Sequence, residues 1–262
     1  MRFTSCLLAA ITIVIAQRPA LALPLPLSLF NTPVTENFDT LASSGTSVAL
    51  PAGWSLLETG GTGANITYAA GTGSLSTGNT YSFGASGSSE RALGTLRSSS
   101  LAATVGLLVA NQTGATITDL AIAYTGEQWR LGSTGRADRL DFGCSLDATV
   151  LGTGNWVEVN ELDFNGPVTA GAAGALNGNL PGNKVSVSHQ LAGLNLAPGS
   201  SLMLRWVDVD VSGSDDGLAI DDFSIMAVRV DAATVDETLP PGVPVLAMAG
   251  VVVFATLRRR RS

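Results

Sequence analysis

The chain has 262 residues, 45% hydrophobic and only 13% charged, and its 21 acidic residues outnumber 14 basic ones for a formal net charge of −7 at pH 7. Such an acidic molecule repels phosphate backbones, which disfavours nucleic acid as a partner, and none is expected. Two cysteines and a single histidine exclude a His/Cys zinc centre.

In chain order, Arg2, an apolar run from Leu7 to Ala16, and Ala20 and Ala22 on either side of Leu21 form the pattern of an export leader. Its signal helix occupies residues 1–22 and is cut near Ala22. Cys144 then stands alone in the body, so no intramolecular disulfide can form. From residue 23 to residue 237 alternation dominates and no helical period is visible. Strands are expected around Glu36 to Leu41, Ala102 to Ala110, Trp156 to Leu162, Lys184 to Leu191, Ser201 to Val211 and Leu218 to Val228. The Gly-, Ser- and Thr-rich stretch 42–97 reads as strands with long loops.

The sharpest alternation lies in TDLAIAYTGEQWR, with Leu120, Ile122 and Tyr124 on one face, and in ADRLDFGCSL, with Leu140, Phe142 and Cys144 on one face. The turn residues of LGSTGR between them predict a β-hairpin. In that hairpin Glu127, Trp129, Arg139 and Asp141 share the face opposite the core, and Arg205 joins them from a neighbouring strand. Tryptophan beside guanidinium and carboxylate groups suits a sugar, whose C–H face stacks on the ring while its hydroxyls hydrogen-bond to the charges. The competing reading is a cross-strand ion ladder with Trp129 folded under a loop. His189 alternates with Val185 and Val187 and reads as half-buried and structural. No G-x-S-x-G elbow and no phosphate-cradling loop is present, so a non-enzymatic binding protein is expected.

The motifs ENFD, TGEQWR, ADRLDF and DDGLAIDDFSI resemble a jelly-roll module of exported bacterial proteins, similar in fold to carbohydrate-binding modules and MAM domains. The resemblance implies an all-β jelly-roll β-sandwich over residues 23–237. It also implies a structural calcium ion near the first and last strands, taken from Glu36 or Asp39 with Asp221 or Asp222. Independently, Asp208-x-Asp210-x-Ser212-Gly213 follows the first half of a calcium loop, although its twelfth position is Ala219 and supplies no carboxylate.

The last segment, 238–262, places a Leu239-Pro240-Pro241-Gly242 break before an apolar run, Val243 to Leu257, and ends in Arg258, Arg259, Arg260 and Arg261. As a short C-terminal hydrophobic helix the run would span about 22 Å, less than the roughly 30 Å hydrocarbon core of a bilayer. Arginines behind it favour a cytoplasmic end, which agrees with an exported body. The tail resembles the C-terminal signals of PEP-CTERM proteins, with Leu-Pro-Pro-Gly where that family has Pro-Glu-Pro. That resemblance implies transient anchoring in the inner membrane and handling by exosortase-like sorting machinery. Taken together the chain reads as a surface or matrix protein that binds extracellular polysaccharide or another matrix polymer. The alternative is a structural or adhesive surface protein with no small-ligand site.

Overall fold

The computed structural model describes residues 23–61 and 63–229. The expected leader and the expected tail, including Leu239 to Gly242 and Arg258 to Arg261, lie outside the described residues. Among those described, no helix is long and apolar enough to cross a membrane.

Among the described residues sixteen strands follow one another: β1 (Leu25–Leu27), β2 (Val34–Glu36), β3 (Thr46–Ser47), β4 (Trp54–Gly60), β5 (Tyr68–Gly71), β6 (Asn79–Phe83), β7 (Ala92–Leu96) and β8 (Leu101–Asn111). The second half continues with β9 (Asp119–Leu131), β10 (Arg139–Ser145), β11 (Val157–Glu158), β12 (Phe164–Asn165), β13 (Gly174–Ala175), β14 (Lys184–Leu191), β15 (Ser201–Asp208) and β16 (Gly217–Val228). They make two sheets. Sheet A runs β1-β8-β15-β10-β11, with β4 on β8 and β12 on β10. Sheet B runs β13-β9-β16-β7-β6-β5-β3, with β14 on β9 and β2 on β16. The expected sandwich is therefore present, and the stretch 42–97 supplies β3 to β7 to it.

One expectation is corrected. The strands β9 and β10 are not a hairpin: β9 pairs with β14 and β16 in sheet B, whereas β10 pairs with β15 in sheet A. Residues 132–138 carry the chain from one sheet to the other. Apolar alternation is equally satisfied by facing the core from either side, so it cannot tell a hairpin partner from a strand across the sandwich.

The core between the sheets is organised around Trp206 of β15. Its ring stacks on Trp54 at 5.6 Å and meets Phe142, Tyr124 and Phe223 edge-on at 5.0, 5.6 and 5.8 Å. Trp54, Phe142 and Trp206 come from sheet A and Tyr124 and Phe223 from sheet B, so the aromatic cluster joins the two layers. Glycine sets their spacing at one point: a Cβ on Gly126 of β9 would lie inside the ring of Phe164 on β12.

A second, smaller core lies on the outer face of sheet B. Tyr81, Phe83, Ala92, Leu96, Trp129 and Ala219 pack there, with Phe83 stacked on Trp129 at 6.1 Å and Tyr81 stacked on Phe83 at 5.0 Å. Segments 72–78 and 176–179 cover it. Tyr81 donates to Thr77 O at 2.8 Å, Arg130 to Gly73 O at 3.1 Å, and Leu176 N to Trp129 O at 2.8 Å.

Candidate functional site

The expected ligand residues fall on opposite sides of the sandwich. Glu127 and Trp129 lie on the outer face of sheet B, and Trp129 is only 1% exposed. Its Nε1–H donates to Glu127 Oε2 at 2.9 Å, and Gly178 presses on the indole. Glu127 has Lys184 of β14 and Ala219 of β16 as its register partners, not Arg139 or Asp141. The indole offers no stacking face to a ligand, because loops that the alternation pattern cannot reveal cover it.

Arg139, Asp141 and Arg205 do share a face, the outer side of sheet A. One register row crosses the sheet there: Ser55 on β4, Gly106 on β8, Arg205 on β15, Gly143 on β10 and Glu158 on β11. Gly143 leaves a trough for the Arg205 side chain on one side, whereas on the other Leu151 closes over Gly106, where a Cβ would run into Leu151 Cδ2. A Cβ at Gly143 would sit 3.3 Å from Arg205 Nε and 3.2 Å from Glu158 Oε2. Within the trough the guanidinium lies over the ring of Trp156 at 4.1 Å and donates to Glu158 Oε1 at 2.7 Å. Its Nε–H is buried with no acceptor. In the adjoining row Asp141 stands beside Val207 and Thr104, and its carboxylate is ion-paired with Arg139.

Trp156 was not among the expected ligand residues. It sits in the turn-rich approach to a two-residue edge strand, half-buried, with its Nε1–H on Thr153 O at 2.9 Å and one flank against Ala148, Leu151 and Met203. The available signal was its place two residues before Glu158, which puts both on one side of an extended segment.

The six expected metal ligands are also dispersed. Glu36 accepts Phe38 N at 2.8 Å, and Asp39 accepts Asn37 Nδ2 at 2.7 Å and Arg91 N at 3.2 Å, so both shape a turn. Glu36 and Asp222 nevertheless line one shallow groove of about 610 Å³ together with Thr35, Asn37, Thr40 and Phe223. Asp208 ends β15 with its carboxyl wholly buried, whereas Asp210 is 68% exposed and pairs with Arg97 at 3.4 Å. The Asp208–Gly213 run therefore does not converge as a calcium loop, because β15 directs Asp208 into the interior. Neighbouring acids organise this end of the sandwich instead: Asp216 accepts Gly132 N and Gln128 Nε2, both at 2.7 Å, and Asp138 accepts Asp216 N at 2.8 Å.

Asp221 meets two acids that were not singled out as its partners. Carboxylate oxygens of Glu90, Glu127 and Asp221 all lie within 4.8 Å of one another. A register shift between Asp221 and Ser224 bulges β16, with Asp222 at φ +47°, and Asp222 N closes on Asp221 Oδ1 at 2.7 Å. Burial, reinforced by the neighbouring acids, pushes Glu127 up to about 7 and Asp221 up to about 8. Glu90 gave no sequence signal, since it lies in an irregular loop ahead of β7.

The chain matches no protein-family model and no curated protein. Solved structures of similar outline are known. They include the CBM22-1 xylan-binding domain of Paenibacillus barcinonensis Xyn10C, at 16% identity over 78% of this chain and 99% of that one, with a TM-score of 0.37. The K3 cleaved adhesin domain of Lys-gingipain from Porphyromonas gingivalis matches at 11% identity over 74% and 97% of the two chains, with a TM-score of 0.44. TmCBM61 in complex with β-1,4-galactotriose matches at 11% identity over 54% and 74%, with a TM-score of 0.29. At these scores the likeness is one of outline.

An apolar cleft of about 460 Å³ opens at the sandwich edge, lined by Cys144, Val157, Val159, His189, Leu191 and Leu194 among others. Burial pushes the Cys144 thiol up, as does the Glu158 carboxylate, which suits an unreactive side chain.

Proposed function

We propose that the outer face of sheet A binds an extended polysaccharide. The observation that carries this reading is the Trp156–Arg205–Glu158 group: a half-buried indole, a guanidinium stacked on it and a half-exposed carboxylate that the guanidinium holds, gathered at one edge of the outer face of sheet A. Sugar hydroxyls both donate and accept, so a surface that offers N–H donors and carboxylate acceptors side by side suits them better than it suits an apolar ligand or a simple ion. Arg139 and Asp141 extend the same pattern along β10. Binding needs no bond to be made or broken here, and the protein acts by attachment.

In this proposal the leader and the tail deliver the sandwich outside the cell. The tail is held at the inner membrane and processed by exosortase-like machinery, which fits its break, apolar run and arginine end.

Affinity electrophoresis of the full chain through gels containing a panel of plant and bacterial polysaccharides tests the binding. Saturable retardation by at least one polymer is expected, lost in Trp156→Ala and in Arg205→Ala and kept in Asp210→Asn. Free migration through the whole panel would sink the proposal in favour of a structural or adhesive role.

A further inference from the structure

We infer that Glu90, Glu127 and Asp221 hold a divalent cation, calcium by their chemistry, on the outer face of sheet B. The three carboxylates arrive from separate places: Glu127 from the middle of β9, Asp221 from the bulge of β16 and Glu90 from the loop that enters β7. Each spends one oxygen on an N–H donor. Glu127 Oε2 accepts Trp129 Nε1, Glu90 Oε2 accepts Asn179 Nδ2 and Asp221 Oδ1 accepts Asp222 N. Glu90 Oε1 and Glu127 Oε1 are buried with no partner, and Glu127 is 0% exposed.

A buried carboxylate elsewhere in this molecule shows how unusual that is. Glu58, also buried, accepts Asn65 N and Asn65 Nδ2 at 3.0 Å and Thr80 N at 2.7 Å. Glu127 has one such donor and two acid neighbours. Among the described residues no Lys or Arg is ion-paired with any of the three. Arg91, next to Glu90, turns its guanidinium away onto Ser82 Oγ, Ser82 O and Gly71 O. The other charges that act on Glu127 are Lys184 across the β9–β14 ladder and Asp222. Two buried carboxylates and a half-buried third, none of them ion-paired, are costly to hold together, and a cation bound among them removes that cost.

The donor set is oxygen alone, which selects a hard cation over zinc or copper. Geometry selects further. Magnesium demands a near-ideal octahedron and keeps its water, whereas calcium accepts irregular sets completed by second carboxylate oxygens and water. Three carboxylates converging from a strand, a bulge and a loop make an irregular set of the second kind. Bound there, it fastens β16 and β9 to the loop ahead of β7.

Trp129 gives the site a specific reporter, because its indole hydrogen-bonds directly to Glu127. Full chain stripped with EGTA should bind one calcium per chain by titration calorimetry and melt at a higher temperature with calcium than with EGTA. Terbium in place of calcium should show tryptophan-sensitised emission that calcium displaces, that Trp129→Phe abolishes and that Trp156→Phe leaves intact. Glu127→Gln and Asp221→Asn should lose binding, and Glu90→Gln, at a half-buried position that folding tolerates better, should weaken it at least tenfold. No heat with an unchanged melting temperature would overturn the inference. So would terbium emission that survives Trp129→Phe, which would place the ion elsewhere, or calcium affinity untouched by Glu90→Gln. Polysaccharide retardation is read on the opposite sheet, so either result can fail without the other.

Discussion

At the scale of single residues, buried polar groups are the most informative feature. Asp208 is wholly buried, and neither of its carboxylate oxygens has a hydrogen-bond partner. Burial first, then Asp138 and Asp215, push its pKa well above the usual carboxylate range. The folded chain therefore keeps a proton that the unfolded chain releases near pH 3.8, and the contribution of this group to stability falls as pH rises above that value. Asp208→Asn keeps the shape without the charge and can donate to the unpartnered Thr95 Oγ1 nearby. Its melting temperature should match the parent near pH 3.5 and exceed it by a margin that grows toward neutral pH; equal melting curves at pH 7 would refute this account. Trp129 makes the opposite case. Truncating it to alanine should cost about 3–5 kcal/mol in urea denaturation, yet leave polysaccharide retardation unchanged where the protein is still folded. Sequence parity rightly takes Trp129 off the main core face. What parity lacks is any sign that segments 72–78 and 176–179 close over it, and Trp156 heads an expected strand, 156–162, of which only Val157–Glu158 pairs before a 3-10 turn at Asn160–Leu162, too little for alternation to declare its face.

At the scale of elements, the long strands of the main core were legible and their partners were not, while the expected 36–41 strand meets β2 only at Glu36 and the expected 156–162 strand is β11 and a 3-10 turn. The expected 184–191 strand coincides with β14, and the expected 218–228 strand with all but the first residue of β16. Four of the six residues in the expected metal set, Glu36, Asp208, Asp221 and Asp222, lie on β2, β15 or β16, but strand pairing decides which of them meet. The bulge of β16 brings Asp221 to Glu90 and Glu127, an outcome that depends on contacts distant in sequence. The same reasoning exposes a vulnerable point between the sheets. Gly126 lets β9 approach Phe164 so closely that no Cβ fits. Gly126→Ala should cost about 1–3 kcal/mol through overpacking, and Phe164→Leu in the same chain should recover part of that loss although it is itself destabilising. Strict additivity of the two changes in urea denaturation would show that the contact does not set the spacing.

For the whole molecule, connectivity governs how the fold can be reached. Strands near in sequence often lie in opposite sheets, and the last strand is central rather than peripheral. Along its length β16 pairs with β9 on one side and with β7 and then β2 on the other, so residues 34–36 wait for residues 223–225. Non-local pairing of this kind slows folding, since the chain loses loop entropy before the contacts form. It also concentrates stability in the last of the described strands. Leu218, Ile220, Phe223 and Ile225 are almost completely buried, and at about 1.5–3 kcal/mol for each large side chain they account for an amount comparable to the roughly 5–15 kcal/mol of a typical domain. A chain lacking residues 217–229 should therefore show no cooperative thermal transition and no near-ultraviolet circular dichroism, even though fifteen of the sixteen described strands are still encoded. The two sheets would keep Trp206 on one side while losing Phe223 from the other, and sheet B would be divided between β9 and β7. A truncated chain that still melted cooperatively would mean that sheet A and the remainder of sheet B fold without their shared closing strand.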